Sequence, residues 1–235
     1  MQTHIQLEHR TKTSWLEFLG IMLMIVLIMP LMNATFTILP IWLCEHFNPN
    51  TNKVLLESLE NISYELVALL FVILYILKYK PLKHLVLPAI DFQCLKSYRM
   101  YIHVLVYYAI GIFIDSFILD KLFPESVQEQ LNALDFATLE QYKFLLVLAV
   151  GVLAPIYEEL ICRGILLRFF EEKFSFWPAA IVSSLLFGIA HTYSVGIMVS
   201  AFITGLFASL LYKQTKSIIP AILLHIIINT CSFLY

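Results

Sequence analysis

Seven apolar segments separated by shorter polar stretches dominate the sequence. An α-helix needs about 20 largely apolar residues to cross the hydrocarbon core of a bilayer, and it satisfies its own backbone hydrogen bonds there. Of the 235 residues, 60% are hydrophobic and 14% charged, with a mean hydropathy of +0.82, which excludes an ordinary soluble composition. The sequence therefore predicts an all-α protein, a polytopic integral membrane helical bundle with about seven transmembrane helices.

The predicted spans follow the apolar runs. They are 15–43, 63–77, 100–119, 144–170, 175–193, 196–212 and 218–233. A polar loop with part of an amphipathic turn is expected at 45–62 and a basic loop at 78–99, and the first span is expected to kink near Pro30. Residues 120–141 are acidic and carry apolar residues at i, i+4 and i+7 from Val127, which predicts a short helix on the membrane surface.

The lysines and arginines indicate how the chain is oriented, because cytoplasmic loops carry an excess of both. With a cytoplasmic N-terminus and seven crossings, eleven of the 15 lie inside and three outside, and Arg163 lies within a span. The inside set is Arg10, Lys12, Lys78, Lys80, Lys83, Lys96, Arg99, Arg168, Lys173, Lys213 and Lys216. We therefore expect a multi-pass protein of the cell membrane with its C-terminus outside.

The fourth span carries three ionisable side chains in an apolar run. Each costs at least about 2.5–3.5 kcal/mol near a helix centre, so together they indicate a functional site. Glu159 and Arg163 are four residues apart, with glutamate on the N-terminal side, the favourable order for an ion pair on a helix. Glu158 lies about 100° round the helix and has no such partner. Glu159 and Arg163 are predicted to support the structure, and Glu158 to act as an acid or base.

Two later spans supply imidazoles. His191 lies in an apolar run one turn after Phe187, and His225 lies one turn before Asn229 on the same helical face. A polar side chain on an apolar helix needs a buried partner. We therefore expect Glu158, His191, His225 and Asn229 to face one another, with Phe187 packing beside them.

The backbone just before Glu158 is expected to be irregular. Pro155 has no N–H, so the carbonyl of Gly151, four residues earlier, loses its usual helical donor. A loosened helix would admit water or substrate beside Glu158, although a simple kink is equally compatible with the proline.

The three motifs, in this order, resemble those of the CAAX protease and bacteriocin-processing (CPBP) family of intramembrane endopeptidases. They are E-E-x-x-x-R at 158–163, F-x-x-x-H at 187–191 and H-x-x-x-N at 225–229. Each motif alone is weakly specific, whereas the three in order at spacings of about one helical hairpin are strongly specific. The resemblance implies a membrane hydrolase, a protease described either as a metalloprotease or as a glutamate-type enzyme.

The resemblance is close over 154–229 and extends to the rest of the chain only as a run of hydrophobic helices. It suggests N-terminal transmembrane helices and loops at 1–140 and a CPBP-like catalytic helical core at 141–235, together forming one structural unit. Cys162 departs from the family, which usually has an aromatic or bulky apolar residue there.

The resemblance also implies a reaction and a substrate class. Glu158 would activate a water molecule as general base, and His191, His225 and Asn229 would position that water and stabilise the tetrahedral intermediate. The substrate would be a peptide tail or leader of the CAAX type, a pheromone, or a peptide linked to bacteriocin processing or immunity. The expected partners are this peptide or protein substrate and membrane lipid, without nucleic acid.

Four possibilities stay open. Zinc would find two nitrogens and one oxygen on Glu158, His191 and His225, with water in the fourth position, although no H-E-x-x-H pair preorganises them. A water activated by glutamate without a metal fits the resemblance equally well and is slightly favoured. Cys162, four residues after Glu158, is a conceivable nucleophile. The alternative to an endopeptidase is a non-proteolytic membrane immunity or regulatory protein that binds a peptide or a sensor partner.

Two other acidic residues have a simpler interpretation. Glu65 and Asp115 are expected to lie near the ends of their spans, where carboxylates reach interfacial water. Neither is predicted to be catalytic.

Overall fold

The computed structural model describes residues 12–48, 50–136 and 140–234, and within these ranges the chain is helical, without β-strands. The helices of seven residues or more in these ranges are α1 (Trp15–Phe47), α2 (Lys53–Lys78), α3 (Lys80–Val86), α4 (Tyr98–Leu122), α5 (Ser126–Ala133), α6 (Glu140–Lys173), α7 (Phe176–Ala190), α8 (Val195–Thr215) and α9 (Ile219–Leu234). Several contain wide π-helical turns, in which hydrogen bonds span five residues instead of four.

The helices confirm the all-α membrane architecture. Among the described residues, α1, α2, α4, α6 and α8 are long and apolar enough to cross a membrane, whereas α7 and α9 are shorter apolar helices of 15 and 16 residues. Large apolar side chains along α1 and α4 are exposed, as a surface in contact with lipid requires. The orientation of the termini stays a prediction, and Arg10 lies outside the described residues.

The predicted loop at 45–62 is wrong over its second half, because α2 begins at Lys53. Asn52 caps this helix, since its side-chain oxygen accepts a hydrogen bond from the N–H of Leu55 at 3.2 Å. The polar residues of the first turns look like a loop in the sequence but form one face of the helix. As a consequence Glu65 lies in the middle of α2 and not near its end.

The predicted loop at 78–99 is also partly helical. It contains α3, whose side chains Leu82, Leu85 and Val86 are at most 1% exposed. The helix lies close against α6 because Gly164 faces it: an added Cβ there would lie 3.0 Å from the side chain of Val86. Burial of these leucines and valine explains why a segment rich in lysine and proline still folds into a helix.

The short helix expected within 120–141 is present as α5, although residues 137–139 lie outside the described ranges and its position relative to a membrane surface stays a prediction. It packs closely against the start of α8, where a Cβ on Gly196 would collide with Ser126 and Phe123. Glycine at this position is therefore what allows α5 to reach the helices that carry the predicted site.

Helix α6 is the centre of the bundle. It packs against α2, α7 and α9, while α4 packs against α8 and α9. Contacts thus cross the proposed boundary between 1–140 and 141–235, and this division of the chain stays a prediction. Because α6 runs from Glu140 to Lys173, Glu158 lies near its middle, surrounded by helices on both sides.

Candidate active site

The two glutamates of the first motif lie in a short regular segment of α6, Ala154–Glu159. This segment is flanked by two π-helical segments, Val147–Leu153 and Leu160–Leu167. Wide turns of this kind interrupt the regular hydrogen-bond ladder and are frequent at functional sites. The irregularity that Pro155 predicts in the backbone is therefore present, and it extends to both sides of the glutamates.

The irregular backbone positions Asn229. The N–H of Ala154 donates to the carbonyl of Ala149, five residues earlier, so the carbonyl of Val150 loses its usual donor. The next residue, Pro155, has no N–H to offer. The side-chain nitrogen of Asn229 on α9 donates to the Val150 carbonyl instead, at 3.0 Å. The amide keeps its oxygen and a second N–H for another partner.

A buried ion pair lies beside this contact. The side chains of Glu159 and Arg163 are both 0% exposed, and Oε1 of Glu159 lies 2.8 Å from Nη1 of Arg163. The same Oε1 lies 3.1 Å from Nδ1 of His225. The ion pair on α6 thus holds the imidazole that α9 brings to it.

His225 connects the two glutamates. Its Nε2 lies 3.6 Å from Oε2 of Glu158, whose side chain is 26% exposed, while its Nδ1 faces Glu159. Because both carboxylates only accept hydrogen bonds, a neutral imidazole can donate to one of them and an imidazolium to both. The adjacent glutamates therefore occupy different environments, one sealed from water and one open to it.

Phe187 brings the aromatic side chains of the site together. Its ring lies 4.9 Å from the guanidinium carbon of Arg163 and contacts His191 and His225 with centroid distances of 4.6 and 5.3 Å. Its carbonyl oxygen lies 2.8 Å from Nδ1 of His191. Since a carbonyl only accepts, Nδ1 carries the proton, and Nε2 of a neutral His191 is the free acceptor.

Two adjoining cavities bring the predicted catalytic residues together. The α2 cavity, of about 520 Å³, lies between α2 and α6 and is lined by Glu158. The α8 cavity, of about 320 Å³, lies between α4, α8 and α9 and is lined by His225. His191 and Asn229 line both cavities, as does Gln130 of α5.

The α2 cavity contains a carboxylate that the sequence analysis misjudged. Glu65 lines its wall, and its Oε2 accepts a hydrogen bond of 2.8 Å from the hydroxyl of Tyr157, the residue before Glu158. The expectation that Glu65 reaches interfacial water at the end of a span is therefore wrong. The signal that was missed is the helical spacing of the polar residues on α2, namely Glu57, Asn61, Tyr64 and Glu65.

Asp115 likewise lies on the wall of a cavity. It lines the α8 cavity, where the hydroxyl of Ser200 donates to its Oδ1 at 2.9 Å. No lysine or arginine of the described residues lines either cavity, so both cavities are electronegative.

Burial raises the pKa of Tyr193, in the loop after α7, and the carboxylates of Glu158 and Glu65 raise it further. The Tyr193 phenol therefore stays protonated and can donate a hydrogen bond.

Cys162, the alternative nucleophile, lies outside the two cavities that hold the predicted catalytic residues. Its side chain is buried, and it lines neither cavity. The carbonyl of the same residue accepts a hydrogen bond from the hydroxyl of Ser183 at 2.7 Å, which ties α6 to α7. A small side chain at this position serves helix packing.

The predicted zinc donors do not form a three-ligand group. Glu158 and His225 face each other at 3.6 Å, but among the described residues no group of three or more His, Cys, Asp or Glu side chains is arranged to hold a metal ion. A catalytic zinc site takes three protein ligands and an open position. These residues therefore do not fit zinc as they lie.

Comparison with known proteins agrees with the three motifs. Residues 140–231 match the family described as "Type II CAAX prenyl endopeptidase Rce1-like", which confirms the resemblance for this segment. An Escherichia coli protein named "Uncharacterized 24.3 kDa protein" is 32% identical over 95 residues, which cover 39% of this chain and 44% of that protein. The Bacillus subtilis protein named "Putative membrane peptidase YdiL" is 34% identical over 86 residues, covering 37% and 35% of the two chains.

These similarities are partial. The matched segment spans less than half the length of either relative. No solved structure matches the chain significantly. The family match at 140–231 covers the helices that carry the two glutamates, the two histidines and Asn229.

The buried ion pair yields a prediction about stability. Replacing Arg163 by methionine leaves the buried charge of Glu159 without its arginine, which should lower the free energy of unfolding by about 3–5 kcal/mol. Adding Glu159→Gln removes that charge and keeps an acceptor for His225, so the double variant should be more stable than Arg163→Met alone. Denaturant unfolding in detergent of the wild type, the two single variants and the double variant measures this coupling, and strictly additive losses would contradict it.

Proposed function

We propose that this chain is an intramembrane endopeptidase in which Glu158 activates the attacking water. The observation that carries the proposal is the pair formed by Glu158 and His225, 3.6 Å apart on the wall of adjoining cavities that His191 and Asn229 also line. The match of this segment to a family of membrane endopeptidases supports the same activity.

In the proposed reaction, Glu158 takes a proton from water as the water oxygen attacks the scissile carbonyl carbon. His191 orients this water, since Nε2 is the acceptor when Nδ1 donates to the Phe187 carbonyl. The free N–H of Asn229 donates to the oxyanion, and so does Nε2–H of His225 in its imidazolium form, whose Nδ1–H is held by Glu159. Glu158 then gives its proton to the leaving nitrogen, and the carbon–nitrogen bond breaks.

Glu159 and Arg163 do not take part in proton transfer in this mechanism. Both are sealed from water, and their role is to hold His225 in place through Oε1 of Glu159. A hydrogen-bond donor held in a fixed position stabilises an oxyanion more than a mobile donor does, because no reorganisation is needed during the reaction. Phe187 supports the same geometry from α7.

The proposed substrate is a peptide tail or leader that enters the cavities in an extended form. CAAX-type tails, pheromone precursors and peptides of bacteriocin processing or immunity all have such segments. Both relatives named above are bacterial, and one carries the name of a membrane peptidase, which favours the bacterial leader or pheromone class. The protein would act in the cell membrane, with its N-terminus in the cytoplasm and its C-terminus outside.

Glu158→Gln tests the proposed function. Glutamine keeps the size of the side chain but cannot take a proton, so cleavage should fall by at least about 100-fold. Purified protein in liposomes is incubated with a library of synthetic peptides, and new termini are identified by mass spectrometry. Glu171→Gln, on the same helix but lining neither cavity, is the matched control and should cleave normally.

The outcomes of this assay separate the two functions considered for the sequence. Cleavage by the wild type and by Glu171→Gln, lost in a folded Glu158→Gln variant, is the expected result. Equal cleavage by Glu158→Gln would overturn water activation by this residue. Absence of cleavage by the wild type would favour a non-proteolytic partner that binds a peptide or sensor.

A second test concerns the metal. We propose a reaction without a metal, so dialysis of the reconstituted protein against EDTA and phenanthroline should leave cleavage unchanged. Elemental analysis of the active protein should find far less than one zinc per chain. Loss of cleavage on dialysis, reversed by added zinc, would contradict this part of the proposal and assign Glu158, His191 and His225 as ligands in the active conformation.

A further inference from the structure

Glu65 is a carboxylate of the α2 cavity that the proposed reaction does not use. An ionisable side chain in the middle of a membrane-spanning helix is costly, and it is usually paired or functional. Within the described ranges, no lysine, arginine or histidine nitrogen lies within 4.0 Å of this carboxylate, and its one hydrogen bond is the 2.8 Å contact of Oε2 with Tyr157. Oε1 therefore remains to accept a donor from the cavity.

The contact with Tyr157 fixes Glu65 relative to the proposed base. Tyr157 precedes Glu158 on α6, and its side chain is 8% exposed. The hydroxyl holds one oxygen of Glu65 from the α6 side, while the residue itself comes from α2. Glu65 and Glu158 thus reach the α2 cavity from two different helices.

The two cavities present different proposed catalytic residues to the two halves of a substrate. Glu158 lines only the α2 cavity, and His225 lines only the α8 cavity. In the proposed reaction Glu158 must reach the departing nitrogen to protonate it. The amine produced by cleavage is therefore released beside Glu158, on the side of the α2 cavity.

We propose that Glu65 binds the newly formed amino terminus of the product, an inference that rests on the proposed endopeptidase function. Water adds its oxygen to the carbonyl carbon, the carbon–nitrogen bond breaks, and the nitrogen leaves with the proton that Glu158 took from water. The carboxylic acid formed gives its own proton to the amine, so the products are a carboxylate and an ammonium group. The nitrogen is already positively charged when Glu158 protonates it, before the carbon–nitrogen bond breaks. Both in this transition state and as the product ammonium, it donates a charge-assisted hydrogen bond to Oε1 of Glu65.

If Glu65 binds the ammonium group, its loss should affect the cleavage of amides and esters differently. Hydrolysis of an ester at the same position releases a neutral alcohol, which gains little from a carboxylate partner. Glu65→Gln keeps an oxygen to accept from Tyr157 but removes the charge. The variant should therefore slow cleavage of a peptide by about 10- to 100-fold, the effect expected for one charge-assisted hydrogen bond, and change ester cleavage less than about threefold.

The experiment uses the reconstituted full chain and two probes. One is the peptide of the synthetic library that the wild type cleaves fastest, and the other is its depsipeptide, in which an ester replaces the scissile amide. kcat/KM is measured for both with Glu65→Gln and with Tyr157→Phe, which frees Glu65 from its anchor and should shift the amide-to-ester ratio in the same direction by less. Glu57→Gln removes another carboxylate from the α2 cavity and should not change that ratio.

A selective loss of amide cleavage supports the role of Glu65. An equal loss for both probes, or no loss for either, overturns it while leaving the endopeptidase function intact. Glu158→Gln separates the two proposals, because it should abolish cleavage of the peptide and of the depsipeptide alike. If the wild type cleaves no peptide of the library, both the endopeptidase function and the role of Glu65 are overturned.

Discussion

The buried ion pair between Glu159 and Arg163 is the interaction on which the site depends. Two opposite charges, 2.8 Å apart and sealed from water, compensate much of the cost of placing either one in the bundle. The glutamate also holds Nδ1 of His225, so the pair ties α9 to α6 and turns the other ring nitrogen toward Glu158. Because Glu159 is engaged in this way, its neighbour Glu158 remains open to water. In the proposed reaction, these two adjacent glutamates thus have separate roles, one in structure and one in chemistry.

The backbone of α6 contributes a second constraint. The wide turn before Pro155 leaves the carbonyl of Val150 without a main-chain donor, and Asn229 takes that place from α9. Because Pro155 has no N–H, the Val150 carbonyl remains available to anchor Asn229 of α9. The same turn opens the wall of the α2 cavity, which Val150 and Glu158 line together. A regular helix at this point would satisfy its own carbonyls and offer Asn229 no such partner.

Much of this arrangement can be predicted from the sequence, and the remainder depends on packing. The order of acid, arginine and histidine at helical spacings indicates which residues meet, because spacing on a helix is a local property. The middle of α2 is different: a run of glutamates and asparagine is equally typical of a loop until a buried face is known. Glu65 was misjudged for that reason, since its partner Tyr157 comes from a helix 92 positions away. The position of α3 beneath α6 likewise depends on Gly164, whose close contact with Val86 no local pattern predicts.

The proposed mechanism requires that the carboxylate of Glu158, and not that of Glu159, acts as base. Chemical rescue measures this most directly: each glutamate is replaced by alanine, and peptide cleavage by the reconstituted protein is followed with increasing formate. Glu158 is 26% exposed and Glu159 is 0% exposed, so a small carboxylate can reach only the first position from the cavity. We expect formate to restore cleavage to Glu158→Ala and to leave Glu159→Ala unchanged. No rescue of a folded Glu158→Ala variant, or equal rescue at both positions, would contradict the account.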